Sequence, residues 1–433
     1  MSRSRERLQA IQNALVTRRD MAPDPVRTFL LPDMKRVEIN QLQPDSLSGV
    51  DLSVPEVQIL VDGVHVCTYR FLDRTAALLL SAVGTPHELT AAHVPRYPVL
   101  EIRASSGGAS AQGSRQITVQ DVWAIIYALF IRHHEQDTIP IVLSPEIQNH
   151  TDLRSYILRS GLGRAAISGH ASKEDMFLSR ATFWQGAGTH GYHGRGWLFP
   201  SSTTTQYAAA PFPSVQSFTR TPLVITAHPL RPPKPLPGEL LYRRYCPTVD
   251  QVLEFTCFDI GVEDEVSPHL EAFHRWQNDE RVGKGWDERG TLEQHRQYVR
   301  NVLKDPGVLP IMMSWDGELM GYAELVYLKE NHVATYIPDG AKDWDRGLHV
   351  LAGEERFRGW ERAQAWLRSV HHYLFLADPR TERVIGEPKA ENAAMIQISL
   401  DATMHLATFF DFPYKRSVLT CLPRERFFKM DVL

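Results

Sequence analysis

The chain has 433 residues, 43% of them hydrophobic and 23% charged, with Lys+Arg 47 against Asp+Glu 51 and a formal net charge of −4. That composition fits a folded protein of about two domains and excludes a largely disordered chain, a collagen-like repeat and a coiled-coil rod. It shows no basic excess for a nucleic-acid partner and no apolar run of the ~18 residues that a membrane span needs. The four cysteines, Cys67, Cys246, Cys257 and Cys421, form no C-x-x-C pair. This argues against a zinc ribbon or a disulfide scaffold and for a reducing compartment. The first fifteen residues are basic but lack an apolar core, and the C-terminal Lys429–Leu433 is not an S-K-L ending, so the expected location is the cytoplasm.

Residues 1–20 read as a polar helix. VPEVQILVDGVHVCTYRF (54–71) alternates apolar and polar residues and turns at Asp62-Gly63, the signature of a hairpin. YPVLEIR (97–103) reads as a strand, SSGGASAQGS (105–114) as a loop, Thr118 to His133 as a helix and PIVL (140–143) as a buried strand. Residues 160–240 are rich in Gly, Ser, Thr, His and Pro and end in HPLRPPKPLPGEL, a stiff extended connector. The expected boundary lies there, giving domains 1–237 and 238–433.

In the second domain LYRRYCP and LEFTCFDI read as strands. SPHLEAFHRWQNDERV reads as a helix with Ser267 as N-cap and Pro268 at its first position, and a second helix spans about 291–304. LPIMMSWDGELMGYAELVYL is a hairpin turning at Asp316-Gly317. GLHVLAGEE is a strand, about 359–376 a helix, TERVIGEP a strand and NAAMIQISLDAT a helix, before the closing strands LATFFDF and RSVLTCL. The fold class is α+β, a mixed central sheet with helices on both faces.

The sharpest local feature is Gly353-Glu354-Glu355-Arg356-Phe357-Arg358-Gly359-Trp360-Glu361, where a strand runs into a helix. A helix start leaves about four backbone amides unpartnered and carries partial positive charge; a glycine admits a ligand close to that backbone, and Arg356 and Arg358 add full charges. Together they suit a pyrophosphate. His349 lies on the preceding strand, with Leu351 on its face and Leu348, Val350 and Ala352 on the other. Glu387 ends the next strand, and Asn392 starts the helix after it.

These segments resemble the GNAT N-acyltransferases, with Arg356-Phe357-Arg358-Gly359 at the family's coenzyme A pyrophosphate loop and Glu361 where that loop usually has Gly or Ala. From about 240 to 428 the chain more specifically resembles the acyltransferases of hydroxamate siderophore biosynthesis, through FHRWQNDERV, DGELMGYAELVY, DRGLHVLAGEERFRG, YLFLADPRTERVIGEPKAEN and FFDFPYKRSVL. Its length and its RPPKPLPGE linker look like the fungal hydroxyornithine acyltransferases. The resemblance implies two GNAT-like domains, the first degenerate. It implies acyl-coenzyme A as co-substrate, either acetyl-CoA or anhydromevalonyl-CoA, bound by Leu351, Arg356, Arg358, Gly359, Trp360 and Asn392. It implies N5-hydroxy-L-ornithine as acceptor, beside Trp276, Asn278, Tyr322, Glu324 and Asp345, with His349 and Glu387 as the catalytic pair. A homodimer, no metal and no membrane are implied as well, with a peroxisomal location open by family analogy. The sequence departs from the family after Met395-Ile396, where relatives carry a glycine before the last strands and this chain reads Gln397 to Met404 without one.

A hydroxylamine nitrogen is largely neutral at pH 7, so holding it against the thioester, worth ~7–11 kcal/mol, is the main task. His349 is expected to take the proton, and Arg346 to pair with a carboxylate. Gly186 to Gly191 fits G-x-G-x-x-G but follows no strand, and His190, His193 and the His133-His134 pair match no zinc spacing. The competing readings are acylation of another amine, such as hydroxylysine or an aminoglycoside, and a non-catalytic scaffold that binds coenzyme A.

Overall fold

The computed structural model describes residues 27–42, 55–77, 96–105, 116–165, 172–201, 215–262, 265–430 and 433. The helix expected over 1–20 and nearly all of the 105–114 loop lie outside them. The first sheet is built from β1 (Thr28–Leu30), β2 (Arg36–Gln41), β3 (Glu56–Val61), β4 (Val64–Ala77), β5 (Arg96–Ala104), β6 (Thr138–Leu143), β7 (Gly163–Ala165) and β8 (Met176–Ser179). Helices α1 (Val119–Arg132), α2 (His150–Arg159) and α3 (Arg180–Trp184) accompany it. A separate hairpin follows, β9 (Gln216–Arg220) and β10 (Ile225–Pro229), and the proline-rich connector leads to β11 (Leu240–Cys246).

The second sheet continues with β12 (Gln251–Cys257), α4 (Pro268–Gln277), α5 (Glu280–Trp286), α6 (Leu292–Lys304), β13 (Val308–Trp315) and β14 (Glu318–Tyr327). Then come β15 (Arg346–Ala352), α7 (Trp360–Ala377), β16 (Arg383–Gly386), α8 (Ala393–Asp401), β17 (His405–Asp411), β18 (Arg416–Pro423) and α9 (Arg424–Lys429). The first sheet runs β1-β2-β3-β4-β5-β6-β8-β7 and the second β11-β12-β13-β14-β15-β16-β18-β17, the same order shifted by ten strands. Each has one parallel step, β5 to β6 and β15 to β16, bridged by a helix, and is otherwise antiparallel.

Local chemistry sets the elements. The Asp-Gly turns at 62–63 and 316–317 both take positive φ at both residues, the geometry a tight hairpin needs. Ser267 accepts from the Leu270 amide, and Thr291 and Gln294 form a capping box that starts α6. The helix expected as one from Ser267 to Val282 is two. Asp279 accepts from the Arg281 and Val282 amides and so starts α5 afresh. Sequence reading missed α2, which has no side-chain cap, the short strands β7 and β8, and the β9–β10 hairpin.

One apolar core joins the two sheets. Trp184 and Trp197 stack at 4.9 Å, and Trp197 meets His372 of α7 at 5.1 Å. Buried His372 bonds the Tyr242 hydroxyl and donates to the Trp184 carbonyl, and burial pushes its pKa down to about 3, so it stays neutral. Such ring pairs add ~0.5–1.5 kcal/mol each beyond their burial. No helix of the described residues is long and apolar enough to cross a membrane.

Candidate active site

The parallel pairing of β15 with β16 covers only Arg346↔Val384 and Gly347↔Ile385. Beyond Gly347, β15 stays bonded to β14 up to Ala352, but its other edge has no strand partner among the described residues. The two strands part there. Into the gap opens a cavity of about 490 Å³, whose walls include Trp286, Glu324, His349, Glu387, Asn392 and Lys415.

His349 sits at the parting, two residues past the last parallel pair. Its Nδ1 lies 3.2 Å from Glu324 Oε2 and its Nε2 3.3 Å from Glu387 Oε1. Glu324 faces it across the β14–β15 ladder, and Glu387 follows the end of β16. The hydroxyls of Tyr298 (2.6 Å) and Tyr322 (2.9 Å) donate to the other Glu324 oxygen. Lys415 pairs with the other Glu387 oxygen. The Trp286 ring stands edge-on to the imidazole. About a third of the His349 side chain is exposed, and that part faces the cavity.

Burial alone would lower the His349 pKa, but hydrogen bonds and attraction from Glu324 and Glu387 reverse this and hold it up at about 9. The imidazole is therefore protonated at neutral pH. Burial would raise both carboxylates. The imidazolium keeps them below their usual range, helped by the two tyrosine hydroxyls at Glu324 and by Lys415 at Glu387.

The turn expected to bind phosphate is present with a different division of labour. After β15 the chain passes Gly353, where a Cβ would fall 2.1 Å from the Trp276 ring, so only glycine fits. A short 3-10 turn (Glu355–Phe357) leads to Gly359, at φ 139°, which starts α7 without any side-chain cap. The first amides of α7 thus carry no side-chain partner of their own. Arg358 lies along a groove beside this turn with Arg275, Arg281 and Lys284, which pair there with Glu354, Asp279 and Glu280. Arg356 does not join it, because it pairs with Glu318 and rests on the Phe357 ring. Trp360, the first residue of α7, is exposed.

The structure brings His349, Glu387, Glu324 and Asn392 to one cavity, with Asn392 capping α8 through the Met395 amide. Tyr322 reaches it through Glu324. Trp276, Asn278, Asp345 and Leu351 do not line this cavity, each for a local reason. Trp276 is packed under Gly353 and donates to Glu354. Asn278 follows the end of α4, bonds Gly290 and faces the groove that Arg358 lines. Asp345 is buried against Arg383. Leu351 packs in the cluster with Trp276. Sequence reading missed Tyr298, Lys415 and Trp286. Their only sequence signal is position, Tyr298 one residue before buried Val299 on α6 and Lys415 in the turn between the last two strands. Among the described residues no group of three or more His, Cys, Asp or Glu side chains is arranged to hold a metal ion.

A GNAT acetyltransferase domain model matches residues 265–412, the stretch that carries this cavity. The acyltransferase ato1 of Omphalotus olearius is 39% identical over 418 residues, 96% of this chain and 98% of that protein. The hydroxyornithine transacylase SID3 of Ajellomyces capsulatus is 36% identical over 332 residues, 73% of this chain and 74% of that protein. The N(5)-hydroxyornithine:cis-anhydromevalonyl coenzyme A-N(5)-transacylase SIDF of Beauveria bassiana is 39% identical over 269 residues, 58% of this chain and 57% of that protein. Shared strand order, the parted parallel pair and similarity along nearly the whole chain lead to one assignment: the chain belongs to the GNAT-type acyltransferase family that includes the fungal hydroxyornithine transacylases.

Proposed function

We propose that the chain transfers the acyl group of an acyl-coenzyme A to the side-chain nitrogen of N5-hydroxy-L-ornithine, forming the hydroxamate of a siderophore building block. The observation that carries this reading is His349 held between Glu324 and Glu387 where β15 and β16 part. A thioester lying along the free edge of β15 brings its carbonyl beside the imidazolium, with the nucleotide end toward Arg358 and the start of α7.

The hydroxylamine nitrogen is already neutral and attacks the carbonyl carbon directly. The tetrahedral adduct carries an acidic N–H, so a carboxylate of low pKa suffices to take that proton; Glu324 and Glu387 both line the cavity, and the role goes to Glu387, which lacks the two tyrosine donors that hold Glu324. As the C–S bond breaks, the His349 imidazolium gives its proton to the departing thiolate. Glu387 then returns its proton to His349 across their 3.3 Å contact. One thioester and one hydroxylamine become one hydroxamate and one thiol. The sequence put His349 in the proton-accepting role, with Glu387 to orient it or act in its place; the protonated state of His349 supports Glu387 as acceptor and His349 as donor. Proton transfer of this kind contributes ~10²–10⁴ in rate.

On this reading residues 1–237 form a first domain without chemistry and 238–433 the catalytic one. The donor is acetyl-CoA or anhydromevalonyl-CoA, Leu351 and Trp360 flank its path, and the working protein is a cytoplasmic homodimer. Thiol release and product mass, measured with each donor against N5-hydroxy-L-ornithine, ornithine, N6-hydroxylysine and an aminoglycoside, test it. Turnover is expected with hydroxyornithine above the others. A clear preference for any of the other three acceptors overturns it.

A further inference from the structure

A second cavity, of about 230 Å³, lies between the two sheets, away from His349. Its walls come from three places: the loop with Thr189 and Trp197 after the first sheet, the Pro232–Pro235 connector, and Tyr327 and Arg346 of the second sheet. They are mostly aromatic rings, prolines and leucines. Lys234, His190, His193 and Arg346 are the basic side chains among them, and Arg346 is only 5% exposed.

Sequence reading expected Arg346 to pair with a carboxylate. The structure corrects this. Its guanidinium lies over the Tyr327 ring at 4.0 Å, and its Nε donates to the Val326 carbonyl. Among the described residues it has no carboxylate partner, because the acids nearby are taken. Arg231, on the same Tyr327 ring, holds Glu330, Arg380 holds Asp378, and Arg383 holds Asp345. A buried cation is ordinarily paired, since removing it from water is costly. The two terminal nitrogens of Arg346 present the fork that fits a carboxylate with two parallel bonds.

We propose that this cavity binds a small hydrophobic monocarboxylate, with Arg346 holding the carboxylate and the rings and prolines enclosing the apolar body. Lys234 also lines the cavity, but its ammonium donates to the Val302 and Leu303 carbonyls, and the mostly apolar walls favour a monoanion with an apolar body over a phosphate dianion. Arg346 and His349 lie on opposite faces of β15, so the site is separate from the acyl-transfer cavity and does not depend on which amine is acylated. The occupant bridges both sheets and the connector.

Calorimetry on the full chain with benzoate and hexanoate, with benzamide and hexanamide, and with inorganic phosphate tests the proposal. The acids are expected to bind at least tenfold more tightly than the amides. Arg346→Met should weaken the acids at least tenfold and leave acetyl-CoA binding unchanged. Ala377→Leu, which narrows the cavity and keeps the arginine, should weaken them too, and stands alone if the Arg346 variant does not fold. Equal binding of acid and amide, acid binding that survives either variant, tighter binding of phosphate, or no acid binding at all overturns it.

Discussion

The two sheets share one strand order and differ in what they carry at matching places. Two residues past the last parallel pair, the second sheet has His349, opposite Glu324, and Glu387 on the neighbouring strand. Counted the same way, the first sheet has Ala104, opposite Cys67, and Pro145. The parallel pairing also runs one pair longer there, through Ile102↔Leu143. The connecting helices differ as well. Thr118 closes the start of α1 by accepting from the Asp121 amide, whereas Gly359 leaves the start of α7 open. Ten consecutive residues of α1, Val122 to Ile131, are buried. On the proposed function the first sheet is a packing platform and the second the reaction site, and a few side chains at fixed register make the difference. Moving residues of the first sheet into the second should therefore remove function step by step.

The largest effect is expected from His349→Ala, which places the first sheet's residue at the parting. Turnover should fall ~10²–10⁴-fold, while coenzyme A binding measured by calorimetry stays within about twofold, since the nucleotide is held elsewhere. A variant that keeps most of its turnover would leave His349 a structural residue.

The charge on His349 gives a second consequence. Its pKa is raised from 6.5 to about 9, so its contribution to folding is complete below pH 6.5 and is lost as pH rises through about 9. The melting temperature of the native chain should drop across that window by more than that of His349→Ala. In the proposed mechanism the imidazolium donates the proton, so the rate should fall over the same range. Glu324 and Glu387, held below 4.5, act in the opposite sense. Their contribution is present above pH 4.5 and is lost as pH falls through their lowered values. Cys67, in the matching position of the first sheet, is pushed up by burial and does not ionise between 6.5 and 9.

Much of the second sheet was legible in the sequence because its signals are local. Period-2 alternation, the Asp316-Gly317 turn and the Ser267 and Thr291 caps fix strands and helices within a few residues. His349 and Glu387 were legible through strand position and family likeness. The partnership of His349 with Glu324 was not, since it depends on the register between β14 and β15, which no short motif records. Trp276 and Asn278 lie outside the His349 cavity through contacts that a local pattern does not record: Trp276 packs under Gly353, and Asn278 bonds Gly290. In the first half, α2 lacks a side-chain cap and β7 and β8 are three and four residues long, too short for periodicity to speak.

A middle-sized effect is expected at the start of α7. Gly359→Thr gives this helix the first sheet's cap, whose hydroxyl competes for an amide that the phosphate needs, and it forces a β-branched residue to φ 139°. The KM for acyl-CoA should rise about tenfold, equivalent to ~1.4 kcal/mol, with a smaller change in kcat. An unchanged KM would place the pyrophosphate away from this helix end.

The smallest effect runs in the stabilising direction and concerns the helix after the parallel pair. In the first sheet α2 ends on Ser160, and Gly161 follows at φ 80°. In the second sheet α8 ends on Ala402, and Thr403 follows at φ 70°, in the stretch where the family's glycine is missing. The turn forms all the same, with the Met404 amide reaching back to the Ser399 carbonyl. Thr403 therefore holds a left-handed conformation that costs a residue with a Cβ ~1–2 kcal/mol, and its hydroxyl is buried without a partner, which adds to the cost. Thr403→Gly removes both terms. Against them stand ~0.5–1 kcal/mol of backbone entropy and ~0.8 kcal/mol for the lost methyl. The net expectation is a gain of about 1 kcal/mol in urea unfolding, with acyl transfer unchanged. Gly161→Thr should lose a similar amount. If Thr403→Gly instead destabilises the chain, the threonine methyl is packing against the end of α8 more strongly than its backbone is strained.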